Sequence, residues 1–362
     1  MSAETLFLLL MSLALLPVAA FAPRALFPDV VAVFSALALA ALSPISAFWL
    51  VGSSCLTWGA MWLGDRFGQR GLIAAIWAVV LVVVMAASRE MSHTLWVGVA
   101  YFSLRNIHVL FDVWMGRLTT PSLRRLLCYQ LFLPVLLAGP IHRIQTYERQ
   151  LTRRRPDAAQ FFQGAERMLL GLAQALLLGG WLVGHIKVLP IYRLSGLSVF
   201  LESWANGMVG WLELYFVFAG FSSVAVGLSL MLGIRLEENF NAPFLARNLI
   251  EFWQRWHISL SQWCRDYVFH PVTAATRSPV LGVVAAMVAI GLWHEVSFYY
   301  FGWAIWQALG LILTRLGQRI LAHPKVPLRA EWVDRLIGPV LVFSWVTLAK
   351  PIVGLIIAGG AP

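Results

Sequence analysis

The chain has 362 residues, of which 60% are hydrophobic and 12% charged, and its mean hydropathy is +0.76. A water-soluble protein of this length needs far more polar surface, so the composition excludes a soluble globular enzyme and indicates an integral membrane protein. The formal net charge of +10 is typical of Arg and Lys in the cytoplasmic loops of a polytopic membrane protein, so no nucleic-acid partner is expected.

A membrane-crossing helix needs about 20 mainly apolar residues. The first such run carries Glu4 and no basic residue before it, so it is predicted to be a transmembrane helix and not a cleaved signal peptide. Two shorter or proline-broken segments, 126–140 and 188–201, bring the expected total to roughly ten to twelve membrane segments. The ten predicted spans besides these two segments are 4–22, 25–43, 46–63, 71–88, 94–115, 165–184, 207–233, 279–293, 296–314 and 336–357.

The segment 126–140 lies between two arginine-rich stretches, Arg117–Arg125 and Arg143–Arg155. Both stretches are predicted to be cytoplasmic by their charge, which a single crossing of 126–140 does not allow. We therefore expect this segment to dip into the membrane and return, or to lie in the interface. Irregular backbone at membrane depth has to be covered by protein or by a water-filled cavity.

In the segment 243–271, aromatic residues recur at helical spacing on one side, and charged residues fall on the opposite side. It is predicted to be one amphipathic helix, capped by Asn241, with Pro243 in its first turn and Pro271 at its end. Such a helix is too polar to cross a membrane and is expected in the headgroup plane. His257 and Ser261 are four residues apart on the flank of the stripe, which predicts that they face the rest of the protein.

Between Ser278 and Thr314 the only ionisable residues are His294 and Glu295. A single helix of that length would be about 55 Å long, too long for one crossing, so a break is predicted near this pair. His294 is then either solvated in a surface turn or placed in a cavity as a general base. His257 alone is more typical of a structural histidine, and no HExxH or other metal-ligand spacing occurs, so no metal is expected.

Three motifs together resemble the membrane-bound O-acyltransferase family, most closely its bacterial branch of alginate O-acetylation and teichoic-acid D-alanylation membrane proteins. They are Asn239-Phe-Asn241-Ala-Pro243, Phe252-Trp-Gln-Arg-Trp-His257-Ile-Ser-Leu-Ser261 with Trp263-Cys-Arg265-Asp266, and Gly291-Leu-Trp-His294. The resemblance implies an all-α polytopic protein with helices around a central funnel or tunnel. It also implies one integral-membrane domain over 1–362, with the signature region at 239–294.

The resemblance further implies that His294 is the catalytic base and His257 the second signature histidine. The supporting or substrate-binding residues are expected to be Trp256, Arg255, Ser261, Arg265, Asp266, Asn241, Trp293 and Glu295. Glu295 stands where this branch commonly has glycine, and its negative charge could tune the basicity of His294. Ser223 stands where alginate-type members often carry Asp.

No permanently bound cofactor is implied. The expected co-substrate is an acyl thioester, either acyl-CoA or an acyl-carrier protein, on the cytoplasmic side of a bacterial inner membrane. The expected acceptor is a hydroxyl of an extracytoplasmic glycan or of an esterase-like partner protein. The sequence leaves open whether the acyl group is acetyl or D-alanyl, and it leaves a transporter or an inactive scaffold of the same fold as alternatives.

Overall fold

The computed structural model describes residues 2–90, 96–136, 138–155, 157–188, 199–321 and 331–359, and all regular secondary structure in these ranges is helical. The chain divides into two compact units, Met1–Leu172 with Phe221–Glu237, and Ala173–Gly220 with Glu238–Pro362. The single-domain expectation stays a prediction, and each unit is described by itself.

The first unit contains eight helices among its described residues, together with the C-terminal end of a long helix, α10, that spans Val199–Met231. Serine side chains cap the first turns of α3 and α6, as expected for this residue type at a helix start. Ser43 precedes Pro44 at the start of α3, and Ser122 precedes α6. The helices are α1 Ala3–Phe21, α2 Phe27–Leu42, α3 Pro44–Phe67, α4 Arg70–Glu90, α5 Val99–Trp114, α6 Leu123–Gln130, α7 Ile144–Thr152 and α8 Ala158–Ala173.

Helix α8 packs closely against the part of α10 in the same unit, because two glycines face each other. A Cβ atom on Gly164 would lie 2.6 Å from the carbonyl oxygen of Gly227, and a Cβ on Gly227 would lie 2.6 Å from that of Gly164. Neither position therefore accepts a side chain without separating the helices. Beside this contact, an apolar cluster joins α1, α8 and α10 through Leu9, Met168, Val224 and Leu228.

The predicted segment 126–140 does not form one spanning helix. Helix α6 ends at Gln130, a short 3-10 turn covers Leu133–Leu136, and irregular backbone follows. The side chains of Leu131 and Phe132 and those of the 3-10 turn are buried, as irregular backbone at membrane depth requires.

The second unit contains the remaining helices. After α8 the chain continues as π-helical Gln174–Leu182 and then α9, Val183–Val188, so residues 189–198 of the predicted segment 188–201 lie outside the described residues. The unit also holds the N-terminal part of α10 and α11 Leu249–Arg255, α12 Ile258–Cys264, π-helical Arg265–Phe269, α13 His270–Thr276, α14 Pro279–His294, α15 Phe298–Leu321 and α16 Glu331–Gly359.

The predicted single helix over 243–271 is wrong. The segment consists of a 3-10 turn at Pro243–Leu245 followed by α11, α12 and a π-helical stretch that runs into α13. Asn248 caps α11 in place of Asn241, by accepting a hydrogen bond from the N–H of Glu251. Pro271 lies inside the continuous helical run that joins the π-helical stretch to α13, so it does not end a helix.

Five helices of the described chain are long and apolar enough to cross a membrane. They are Ala3–Phe21, Arg70–Arg89, Ala158–Ile186, Val199–Met231 and Arg335–Ile357, and two shorter apolar helices are Phe27–Leu42 and Pro279–His294. The protein is an integral, all-helical membrane protein. The total of ten to twelve segments and the central funnel stay predictions.

Candidate active site

The two signature histidines lie in the second unit, and His257 marks a break between α11 and α12. Its backbone has φ = 41° and ψ = 56°, which lies in the left-handed region that residues other than glycine rarely adopt. The segment Asn239–Asn241 runs alongside this break: the N–H of Asn241 donates to the carbonyl of Arg255 at 2.9 Å, and the N–H of Ile258 donates to the carbonyl of Asn239 at 2.8 Å. Strained backbone of this kind is concentrated at functional sites.

The first turn of α12 is capped by a residue from outside the helix. His257 occupies the N-cap position but makes no side-chain cap hydrogen bond. The side-chain oxygen of Asn239 instead accepts from the hydroxyl of Ser259 at 2.7 Å and from its N–H at 3.3 Å. The imidazole of His257 is therefore not used to hold its own helix.

The His257 side chain is 3% exposed and surrounded by aromatic rings. Its ring centroid lies 4.8 Å from that of Phe218, 6.5 Å from that of Phe240 and 5.6 Å from that of Trp293. Its Nε2 atom has no hydrogen-bond partner among the described residues. His257 lies outside the candidate spans, and burial, with a smaller contribution from the charge of His294, lowers its pKa to about 3. His257 is therefore a neutral imidazole at neutral pH.

His294 is the last residue of α14, and its side chain is exposed. The predicted break is confirmed, since α14 ends at His294 and α15 begins at Phe298. The two helices pack closely, because a Cβ atom on Gly291 would lie 2.6 Å from the carbonyl oxygen of Tyr300. The His294 ring stacks on Tyr300 at 5.4 Å and makes an edge contact with Trp303 at 5.8 Å.

One indole joins the two histidines. The ring of Trp293 lies 5.6 Å from His257 and 4.8 Å from His294, measured between centroids. His294 is also close enough for its charge to lower the pKa of His257. The constellation therefore has a buried neutral imidazole and an exposed imidazole that both contact one tryptophan.

A small cavity of about 180 Å³ lies in the same unit, lined by parts of α10, α15 and α16. Trp303 forms one wall and contacts His294, while Trp211 forms another and contacts Trp256 at 4.8 Å. Asn206 and Lys350 add polar groups to the lining. The cavity is slightly larger than one of about 150 Å³ that holds benzene, so it suits a small ligand group.

The expected supporting residues fall into two groups. Trp256 is buried beside the break, stacked on Phe252 at 5.6 Å, and the side chain of Trp293 lies between the histidines. Asn241 contributes its backbone N–H, and its side chain is exposed. Glu295 is exposed and follows His294 directly, with its N–H bonded to the carbonyl of Gly291 at 3.1 Å.

Apart from Glu295, the charged members of the expected set are paired within their own segments. Arg255 binds the Glu251 carboxylate at 2.5 Å, one helical turn earlier, and Arg265 binds Asp266 at 3.0 Å. The Ser261 hydroxyl donates to the carbonyl of Trp256 at 3.2 Å. This geometry favours a role in holding the His257 break for Arg255 and Ser261, whereas Arg265 is paired with its neighbour Asp266.

The sequence alone did not identify several residues of this constellation. Asn239 and Phe240 belong to the first sequence motif, but no role was predicted for them. Nothing in the sequence around Trp211, Tyr300 and Trp303 distinguishes them from the other aromatic residues. Their importance depends on where α10 and α15 lie around the histidines, which a pattern along the chain does not report.

A separate cluster of buried polar groups lies in the first unit. The fully buried Arg105 donates to the side-chain oxygen of Gln130 at 3.1 Å and also to its backbone carbonyl. Tyr129 contacts both His108 and His142, with centroid separations of 6.1 Å and 5.1 Å. The structure therefore places His108 and His142 in one buried cluster.

The chain was compared with known protein families and with curated proteins, and the matches cover most of its length. A family model described as MBOAT, membrane-bound O-acyltransferase family, matches residues 95–349. The chain is 30% identical over 257 residues to the probable alginate O-acetylase AlgI of Pseudomonas aeruginosa, covering 69% of this chain and 48% of that protein. It is 29% identical over 232 residues to the teichoic acid D-alanyltransferase of Streptococcus thermophilus, covering 60% of this chain and 56% of that protein.

A third relative is named for the O-acetylation of peptidoglycan. The chain is 28% identical over 204 residues to the peptidoglycan O-acetyltransferase of Helicobacter pylori, covering 54% of this chain and 38% of that protein. The chain spans about half the length of the curated relatives it matches.

Proposed function

Because the chain belongs to the membrane-bound O-acyltransferase family, we propose that it transfers a short acyl group from a thioester to a hydroxyl. The observation that carries the proposal is the pairing of buried His257 with exposed His294 across Trp293. The named activities of its relatives, O-acetylation and D-alanylation, support a short acyl group.

The two histidines suit different tasks. Burial lowers the pKa of His257 to about 3, so its imidazole holds a proton weakly and suits the role of base less well than an exposed histidine does. His294 is exposed at the end of α14, where an acceptor hydroxyl can reach its imidazole, and histidine is the side chain most often used for proton transfer at physiological pH. The base is therefore assigned to His294.

The reaction then proceeds in two proton-balanced steps. His294 takes the proton of the acceptor hydroxyl as the oxygen attacks the thioester carbonyl carbon, forming a tetrahedral oxyanion. The oxyanion collapses, the carbon–sulfur bond breaks, and the protonated His294 returns its proton to the leaving thiolate. The products are an ester and a free thiol.

The oxyanion needs a hydrogen-bond donor during this sequence. Neutral His257 carries one ring N–H, and its Nε2 atom is not engaged by any described residue. A preorganised donor in a site without bulk water contributes about 2.7–4 kcal/mol to the stabilisation of such a transition state. His257 is the residue we assign to this task.

The cavity of about 180 Å³ beside Trp303 supports a small acyl group over a long fatty acyl chain. We assign acyl-CoA or an acyl-carrier protein as donor on the cytoplasmic side, and a cell-surface glycan or an esterase-like partner as acceptor on the other. The bacterial relatives support placement in the inner membrane.

The test uses membranes containing the full chain, with acetyl-CoA or a D-alanyl carrier thioester as labelled donor and a soluble glycan acceptor. Base-labile ester is measured by mass spectrometry for the wild type, His294→Ala and His270→Ala. The last is a matched control, since His270 is also an exposed histidine of the second unit. Ester in the wild type and the control but not in His294→Ala is expected; equal ester in all three would exclude His294 as the base.

A further inference from the structure

A second cavity, of about 450 Å³, lies in the first unit, far along the chain from the histidine motifs. It is formed where α1 ends, where α8 begins and where α10 ends. One part of its wall is apolar and the other carries charge. The apolar part comprises Leu16, Ala19, Ala20, Ala22, Ala158, Phe161, Met231 and Leu232, and the charged part comprises Arg24, Arg154 and Asp157.

Arg154 is held in place by contacts that leave most of its donors unused. Its Nε atom donates to the carbonyl of Leu232 at 2.7 Å, at the C-terminal end of α10, where carbonyl oxygens have no partner within the helix. Its guanidinium carbon lies 3.6 Å from the centroid of Phe27. Neither Nη atom has a hydrogen-bond partner among the described residues, so the planar fork is positioned but vacant.

Arg24 adds a second cation at the same wall. It makes no hydrogen bond or ion pair with any described residue. Burial first, and then the positive charge of Arg24, lower the pKa of Arg154, so the two guanidinium groups repel each other. Two like charges on one cavity wall are unfavourable unless an anion lies between them.

Asp157 does not neutralise this pair. Its carboxylate accepts a hydrogen bond from the N–H of Gln160 at 2.7 Å and so caps the first turn of α8. With two arginines and one aspartate in the lining, the cavity keeps a net charge of +1.

We propose that this cavity binds the phosphate of an anionic phospholipid, with Arg24 and Arg154 on the phosphate oxygens and the acyl chains along the apolar wall. A guanidinium fork matches phosphate geometry. Since α1 and the helix over Ala158–Ile186 are both candidate membrane spans, their ends lie at the depth of lipid headgroups. A soluble anion would use the two arginines but would leave the apolar wall exposed to water, which is why a lipid is the favoured occupant.

The proposal is tested on the full chain in a non-ionic detergent by native mass spectrometry with titrated lipid. Both lipids carry a phosphate, but the choline of phosphatidylcholine adds a positive charge beside the two arginines. Dioleoyl phosphatidylglycerol is therefore expected to bind the wild type about tenfold more tightly than dioleoyl phosphatidylcholine. This preference should be lost in the Arg24→Gln/Arg154→Gln double variant. It should be retained in Arg153→Gln, a matched control whose exposed arginine does not line the cavity.

Arg24→Gln alone keeps the proposal testable if the double variant does not fold, because Arg24 makes no hydrogen bond or ion pair with a described residue that its loss would break. A preference for phosphatidylglycerol unchanged in both variants would overturn the proposal. Inorganic phosphate at millimolar concentration should not displace the lipid; full displacement would show a free-anion site and would also overturn it. None of these results depends on acyl transfer.

Discussion

The side-chain oxygen of Asn239 caps α12 from outside the helix, by accepting hydrogen bonds from both the hydroxyl and the backbone N–H of Ser259, 20 positions later. This contact ties the segment before α11 to the first turn of α12. Because His257 lies between the two helices in a left-handed conformation, the contact stabilises the break that points its imidazole into the aromatic cluster.

Asn239→Ala should lower the stability of the protein by about 1–2 kcal/mol, because a buried cap is lost. It should also reduce acyl transfer more than stability alone explains, since His257 is then no longer held. Apparent Tm in detergent and kcat measured on the same preparation check both effects. Asn241→Ala is the matched control: Asn241 contributes its backbone N–H, which alanine retains, so near wild-type values are expected.

Stability should depend on pH through His257. An unfolded histidine binds a proton below about pH 6.5, whereas the folded pKa is about 3, so the stability due to a neutral imidazole is complete above pH 6.5 and is lost as the pH falls towards 3. At pH 5 the loss from this group is about 2 kcal/mol.

The measurement is the apparent Tm of the wild type and His257→Gln at pH 7, 6 and 5, with His270→Gln as an exposed-histidine control. The wild type and the control should lose stability more steeply than His257→Gln. Parallel curves for all three proteins would show that folding does not lower the pKa of His257.

Gly291→Ala should disturb the contact between α14 and α15. The new Cβ atom would lie 2.6 Å from the carbonyl oxygen of Tyr300. The ring of Tyr300 is the one on which the His294 ring stacks. Separating the helices should cost about 1–3 kcal/mol and lower kcat as His294 shifts. Gly317→Ala in α15 is the control, since nothing lies within 4 Å of its Cβ position. Equal Tm and kcat in the two variants would contradict the close packing.

Gly210→Leu should fill the cavity of about 180 Å³ without a backbone clash, because Gly210 lines it and nothing lies within 4 Å of its Cβ position. The expected result is a fall in kcat/KM for the thioester of about tenfold or more, larger for D-alanyl than for acetyl, at an unchanged Tm. Gly354→Leu in α16 is equally open but does not line the cavity, so it should retain the wild-type kcat/KM. A wild-type kcat/KM in Gly210→Leu would exclude this cavity as the acyl site.

The sequence predicted one helix break correctly and missed another. The break after His294 followed from length, because an apolar run that would be about 55 Å long as a helix exceeds one membrane crossing. The continuous helix over 243–271 was wrong, because periodicity cannot detect a residue at φ = 41° that is held by a distant asparagine.

The sequence by itself determined that this is a helical membrane protein, where its apolar helices lie, and to which family it belongs, because hydropathy and motif spacing are local properties of the chain. Only the tertiary structure decided that His257 is buried and neutral while His294 is exposed. The difference comes from rings contributed by Phe218, Phe240 and Trp293, which are distant in sequence. Burial and its effect on charge depend on which helices pack together, and that information is not present in any single segment.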